Sequence, residues 1–395
     1  MSTSTPRTTR RRRRTAAAGV AASALAAVLA LTVPTAGAQV PEAPRPVGPR
    51  LQAILDRAVH APGTGFPGVA LSVRMPGQRT WAGAAGKADL DPARGMRAGD
   101  RFRAGSITKT FVAAATLQLA EEGRFGLDDP LTAVLPGHVT ARFAQADRIT
   151  VRMLLDHTSG LAEYADARFD REVAVHPRRR WTDGELLDRA AAKPRTAAPG
   201  ERFGYSNTDY TLLGLILEHA TGRPWRTVVR ERVIERLHLA HTSLPRPGAV
   251  PRGRDIAHGY QAIGGRRRDR SDVDASLARA AGGHALLTTT GDLSRFLRAL
   301  LAGRLFQRPE TLAAMRTFVP TPNDHGRVGY GLGLERYVLP GGVEMVGHMG
   351  TTAGYRAYMF HLPAQDIDLA MVTTSPDDPM PVLEPALKLL VAEAS

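Results

Sequence analysis

The apolar positions change period along the chain. Leu51, Ile54, Leu55 and Ala58 fall on one helical face. Val69, Leu71 and Val73 alternate, as a strand does, and Pro76-Gly77 supplies a turn. A second extended piece is expected around Trp81. From Ser106 to Glu122, Phe111, Leu117, Leu119 and Ala120 suit a buried helix that Gly123 ends. The chain to about residue 285 then reads as helix and loop, with Arg178 to Arg180 and Arg266 to Arg268 as solvated loop charges. Thr290 is placed to cap a helix through Phe296 and Leu300 to Gly303. Short alternating segments return around Tyr330, Met345, Tyr358 and Leu369, and Val382 to Ala392 forms a closing amphipathic helix.

This order, mixed then helical then mixed, predicts an α/β domain built from both ends of the chain around a helical insertion. The expected boundaries are 50–105 and 286–395 for the two parts of the α/β domain and 106–285 for the mostly helical one. Before them, residues 39–49 read as a proline-rich, flexible leader. Residues 1–38 read as a secretory signal peptide. Arg10 to Arg14 give its positive start, Ala16 to Val33 its apolar stretch and Ala36-Gly37-Ala38 its cleavage site. A retained membrane anchor is the alternative, and the cleavage site favours removal. The expectation is a secreted protein with no transmembrane anchor after cleavage; general and twin-arginine export both fit.

Composition changes this picture in three places. The chain of 395 residues has no cysteine, which excludes disulfides, thiolate metal sites and a cysteine nucleophile. Its formal charge is +14, of which the first 38 residues supply six arginines and no acid. The remaining excess is mostly an arginine bias shared with abundant Ala and Gly, so it points to no nucleic-acid partner. It would suit an anionic wall polymer or membrane surface. Third, only four cations are lysine: Lys87, Lys109, Lys193 and Lys388.

That scarcity singles out Ser106-Ile107-Thr108-Lys109. If Ser106 opens a helix, Lys109 lies one turn on, on the same face. A serine nucleophile needs a base, and an amine serves when burial or nearby charge lowers its pKa from about 10.4. Arginine cannot serve, because it stays protonated. A capping serine beside a surface lysine is the plainer reading of four such residues. A second candidate is Tyr205-Ser206-Asn207, holding one of only two asparagines. The phenol is a possible acid or base and the amide a possible holder of a substrate amide; Tyr-x-Asn is also an ordinary turn sequence. The third is His348-Met349-Gly350-Thr351, expected at a strand edge. There a Thr351 N–H, with that of Ser106, would form an oxyanion hole, and Gly350 would admit a substrate backbone. A structural histidine at a turn is the alternative.

Taken in order, these segments resemble the class C β-lactamases and the related serine D-alanyl-D-alanine carboxypeptidases. That group has S-x-x-K, then Y-x-N about a hundred residues later, then K-T-G or H-x-G near the C-terminus. Here Tyr205 follows Ser106 by 99 residues. Residues 154–161 (LLDHTSGL), Pro199 to Gly214, Gly291-Asp292-Leu293 and Gly329 to Leu334 add to the likeness. The resemblance implies an α/β (α+β) sandwich on an antiparallel sheet with a helical domain, and an active site between them. It implies Ser106 as nucleophile, Lys109 and Tyr205 as proton carriers, and Asn207, His348, Gly350 and Thr351 as substrate and oxyanion groups. No cofactor or metal is implied. The implied substrates are cell-wall peptides ending in D-Ala-D-Ala, with β-lactams as covalent ligands. Small esters or amides, as in an esterase or β-lactamase, are the alternative; a non-catalytic penicillin-sensing or wall-binding protein is another.

His348 leans toward the carboxypeptidases, because the β-lactamases of the class carry lysine there. Two departures oppose this. Met349 stands where a hydroxyl residue is usual, and Glu335, with Arg336 one residue late, stands where the carboxypeptidases place a carboxylate-binding arginine. On a strand one residue reverses the face. His157 and Ser159 lie almost side by side but lack a nucleophile elbow, so a loop bordering the groove is expected there.

Overall fold

The computed structural model describes residues 46–60, 65–251, 253–276 and 286–394. The signal-peptide reading for residues 1–38, and residues 39–45 of the leader, fall outside them. The last leader residues do not form a flexible segment: helix α1 begins at Val47 and runs to His60. Pro49 sits in its first turn, where a missing N–H costs nothing.

In chain order the strands are β1 (Gly68–Arg74), β2 (Trp81–Leu90), β3 (Ala93–Gly95), β4 (Phe102–Arg103), β5 (Tyr260–Ile263), β6 (Arg266–Asp269), β7 (Leu287–Thr288), β8 (Val319–Asp324), β9 (Arg327–Tyr330), β10 (Glu335–Val338), β11 (Glu344–Thr352), β12 (Tyr355–Leu362) and β13 (Ile367–Thr373). The later helices are α2 (Thr108–Glu121), α3 (Leu131–Val134), α4 (Gly137–Thr140), α5 (Val151–Leu155), α6 (Ala167–Val175), α7 (Asp183–Ala191), α8 (Asn207–Thr221), α9 (Trp225–Val229), α10 (Thr290–Leu301), α11 (Pro309–Met315) and α12 (Met380–Ala394).

Among the described residues, nine strands form one antiparallel sheet in the order β3-β2-β1-β13-β12-β11-β10-β9-β8. Strands from both ends of the chain therefore meet at β1 and β13, where Val69 pairs with Thr373 and Val73 with Leu369. Both faces are covered. Val69, Leu71 and Val73 pack with α1 and α12 through Leu51, Leu55, Val382 and Leu390. The opposite face carries Ala70, Ala357 and Ala370, small enough to admit α10 closely. That second cover explains why β1 is buried along nearly its whole length although its sequence alternates.

Helix α2 is buried from Thr108 to Leu119 without a polar face, the mark of a helix surrounded by protein. Phe111 stacks on Phe296 of α10, with ring centroids 3.7 Å apart. Each such ring contributes about 1.5–3 kcal/mol by leaving water. This contact fixes α2, and with it the segment around Ser106, to the helix that lies on the sheet.

Two local expectations are corrected. Arg266 to Arg268 are not a loop but strand β6, hairpinned to β5. Gly264 and Gly265 connect them with φ of +59° and +73°, the two left-handed residues a tight hairpin turn needs. The α10 cap is Thr289, whose side chain accepts the Asp292 N–H, not Thr290. Thr290 Oγ1 is buried without a partner among the described residues. Thr289→Ala should therefore cost about 1 kcal/mol of stability. Thr290→Val, which keeps the shape and removes an unpaired polar atom, should cost nothing or stabilise slightly. Urea unfolding of both variants checks the pair.

Candidate active site

Ser106 lies in a single tight turn, Gly105–Ile107, that leads directly into α2. The sequence reading put Ser106 in the helix; one turn of 3₁₀ geometry precedes it. Gly105 has a φ of +57°, which brings the turn against β11. A Cβ at Gly105 would stand 2.9 Å from the Thr351 nitrogen, and one at Gly350 would stand 2.0 Å from the Ala104 oxygen and 2.9 Å from the Ser106 nitrogen. Two side-chain-free positions thus let two backbones touch.

The edge of β11 makes that contact useful. Strand β10 begins at Glu335, opposite Gly347. Beyond it, residues 348–352 pair on one side only, with β12. N–H groups alternate along a strand, so Met349 and Thr351 both face the open side. Glu335 closes the first: its Oε2 accepts the Met349 N–H at 2.8 Å. The N–H of Thr351 lies beside Ser106. The expected strand edge is thus present locally, inside a strand otherwise paired on both sides.

Three side chains meet at Ser106. Lys109 Nζ is 3.0 Å from Ser106 Oγ and 2.7 Å from Asn207 Oδ1. Tyr205 donates its phenol to Ser106 Oγ at 2.9 Å. Asn207 begins α8, whose cap is Ser206, and its N–H donates to Glu163 Oε2 at 2.7 Å. Lys109 is fully buried. Loss of hydration lowers its pKa to about 7, against the opposing pull of Glu163, Glu335 and Asp209. The Tyr205 phenol is pushed up by burial, the Ser106 hydrogen bond opposing the shift. At neutral pH the lysine can give up a proton while the tyrosine keeps its own.

His348 does not join this cluster by a hydrogen bond to Ser106. Its Nε2 meets Tyr330 Oη at 2.9 Å and its Nδ1 the Met349 carbonyl at 2.5 Å. It is buried, and burial lowers its pKa. It is therefore a ring behind the site that burial disposes to be neutral.

His157 and Ser159 do not border the groove. Both are fully buried, tied to the two oxygens of Asp209 at 2.8 and 2.5 Å. The His157 ring lies 4.4 Å from that of Tyr205 and 4.7 Å from that of Tyr330. It supports the tyrosine from beneath. Burial raises the Asp209 pKa well above its usual range and lowers that of His157, so this layer carries little charge.

Sequence reasoning missed Glu163, Asp209, Tyr330 and Arg327. Arg327 Nη1 is 3.4 Å from Glu335 Oε1, and its guanidinium also pairs with Asp324. Nothing in its local sequence distinguishes it from the other arginines. Arg336 faces away from the site and pairs with Glu344 at 3.0 Å. A register shift does follow it, yet it leaves Glu335, not Arg336, on the site side.

The sequence matches the Beta-lactamase family over residues 53–393. The protein belongs to the Beta-lactamase family. Penicillin-binding protein 4 of Amycolatopsis lactamdurans is 30% identical over 69% of this chain and 71% of its own. Esterase EstB of Burkholderia gladioli is 30% identical over 76% of this chain and 83% of its own. A D-stereospecific amidohydrolase from Streptomyces sp. superimposes with a TM-score of 0.76 at 34% identity, covering 86% of this chain and 98% of that one. The fold is that of the β-lactamases and penicillin-binding proteins, and the chain is a serine hydrolase.

Gly350→Ala tests the contact between the turn and the strand. Its Cβ would meet backbone on both sides, so β11 must retreat from Ser106. Acylation by an activated ester should fall about 10²–10³-fold, as when one oxyanion donor is lost. Gly99→Ala, where a Cβ meets nothing within 4 Å, should leave the rate unchanged.

Proposed function

We propose that the protein is an acyl-enzyme hydrolase of D-configured amides and esters whose leaving groups carry no carboxylate. Ser106 Oγ attacks the carbonyl. Lys109, as the free amine, takes the serine proton, and Tyr205 passes it toward the leaving group. The N–H groups of Ser106 and Thr351 hold the oxyanion, Gly350 permitting their approach. Asn207 orients the substrate amide. Water then releases the acyl group.

The observation carrying the mechanism is the buried Lys109 shared between Ser106 and Asn207. The leaving-group assignment rests on Glu335. Its buried carboxylate occupies the position where a carboxypeptidase would present a cation, and Arg327 is engaged by it. Names such as esterase and D-stereospecific amidohydrolase among its relatives agree with this preference. D-Ala-D-Ala carboxypeptidase action on wall peptides is the second reading. One observation favours it: Arg327 Nε is buried without a partner among the described residues, leaving a donor for a substrate carboxylate. Export through residues 1–38 is part of the proposal, and N-terminal sequencing of secreted protein should begin at Gln39.

Ser106→Ala should abolish the covalent adduct with a β-lactam or activated ester, read by intact mass. An adduct mapped to Ser159 would overturn the assignment. Lys109→Arg should be nearly as damaging as Lys109→Ala, because arginine does not yield its proton.

The pH dependence has a defined sign. Lys109 is protonated below about pH 7 and free above it. The acylation rate should fall about tenfold per pH unit below that midpoint and level off above it. Stopped-flow acylation between pH 5 and 9 measures this limb.

Leaving-group charge separates the two readings. A D-Ala-D-Ala peptide amidated at its C-terminus should be cleaved at least as well, by kcat/KM, as the free acid. A strong preference for the acid that Arg327→Ala removes would establish the carboxypeptidase reading instead.

A further inference from the structure

A cavity of about 320 Å³ opens beside the site and shares Asn207 and Thr351 with it. It follows β11 past Thr351 to Ala353. His348, Tyr330 and Glu335 lie the other way along the strand, at and before Met349. Tyr205 delivers a proton to the leaving group, and its ring neighbours are His157 and Tyr330. The leaving group thus belongs on the Tyr330 side and the acyl group on the side of the cavity. This assignment rests on the acyl-enzyme reading above.

The wall of the cavity is mixed in a definite way. Phe169 and Val173 of α6, Ile263 of β5 and Ala353 supply apolar surface. Asp170 and Val173 lie three residues apart, on one side of α6, and both line the cavity. Among the described residues Asp170 has no ion-pair partner. Its neighbour Asp166 does, at 2.8 Å from Lys193. The other charge in the lining, Arg270, is buried with its guanidinium turned onto the carbonyls of α6, donating Nη2 to Val173 at 2.9 Å and Nη1 to Ala174 at 3.5 Å, and its Nε has no hydrogen-bond partner among the described residues. Asp170 stands exposed on α6 at the rim of the cavity; some loss of hydration and the nearness of Asp166 raise its pKa from the ordinary value, as expected of a carboxylate that lacks a cation.

We propose that this cavity receives the side chain of the acyl group, and that it selects an apolar chain ending in an ammonium, with Asp170 as the counter-charge. A purely apolar side chain gains the Phe169–Val173 surface alone. An acidic one meets Asp170 as a like charge.

The test uses p-nitroanilides of N-acetyl-D-lysine, N-acetyl-D-norleucine and N-acetyl-D-glutamate. Norleucine keeps the stem of lysine without its charge. Wild-type kcat/KM should favour lysine over norleucine about three- to fivefold, the scale of an ion pair at an exposed carboxylate, with glutamate lowest. Asp170→Asn should bring the lysine-to-norleucine ratio to about one. Val173→Trp, which fills the cavity, should lower the ratio of norleucine anilide to p-nitrophenyl acetate turnover by about tenfold or more. Equal wild-type rates for the three anilides would overturn the proposal, as would a lysine preference that survives Asp170→Asn. Failure of Ser106 to acylate with p-nitrophenyl acetate would instead overturn the hydrolase reading and this one with it. Acetate turnover without discrimination defeats the subsite alone.

Discussion

The Lys109 ammonium has no surface in water, and its partners include Ser106 Oγ at 3.0 Å and Asn207 Oδ1 at 2.7 Å. Burying a cation costs several kcal/mol unless it is paired or gives up its proton. Here the fold does some of each. Loss of hydration brings the pKa to about 7, and the carboxylates of Glu163 and Glu335 oppose a further fall. The lysine is thus held where a small change in surroundings decides its charge. The main elements around the site can be read as serving this one group. The turn at Ser106 and helix α2 deliver serine and lysine to the same face. Helix α8 starts at Asn207 to present the amide. The Phe111–Phe296 stack locks α2 to α10.

Around the lysine lies a layer whose groups are mostly neutral by burial. Asp209 is shifted up, His157 and His348 down, and the tyrosines 205, 210 and 330 up. A neutral layer keeps the field at Ser106 from being set by many competing charges. The principal ion pair in it is Arg327 with Glu335. Glu335 also fixes the Met349 N–H, so one residue sets both the strand edge that carries Thr351 and the charge on the side where the proposed leaving group would sit.

Much of this was legible in the sequence, because the chemistry depends on rare residues. One lysine of four follows a serine by three positions, and one asparagine of two follows a tyrosine by two. The mixed, helical, mixed order of elements was legible as well, since period survives in the pattern of apolar residues. What was not legible depends on long-range contact. Asp209 joins His157 and Ser159 across about fifty residues, and no local pattern announces a buried triplet. Arg327 is one arginine in a chain that writes nearly every cation as arginine. The hairpin at Gly264-Gly265 was hidden behind a charge run, where three exposed arginines masked the turn. The burial of the second face of β1 comes from α10, more than two hundred residues away.

The scarcity of lysine also makes the central claim measurable at one atom. With only four lysines in the chain, protein labelled with ¹³C and ¹⁵N in lysine alone gives four resolvable Cε–Nζ correlations. These can be followed from pH 5 to 11. The account predicts that one titrates near 7, that it is the signal lost in Lys109→Arg, and that it moves when Ser106 is acylated. Titration of the Lys109 signal near the ordinary 10.4 of a lysine side chain would contradict it, because Ser106 would then have no amine able to take its proton at neutral pH.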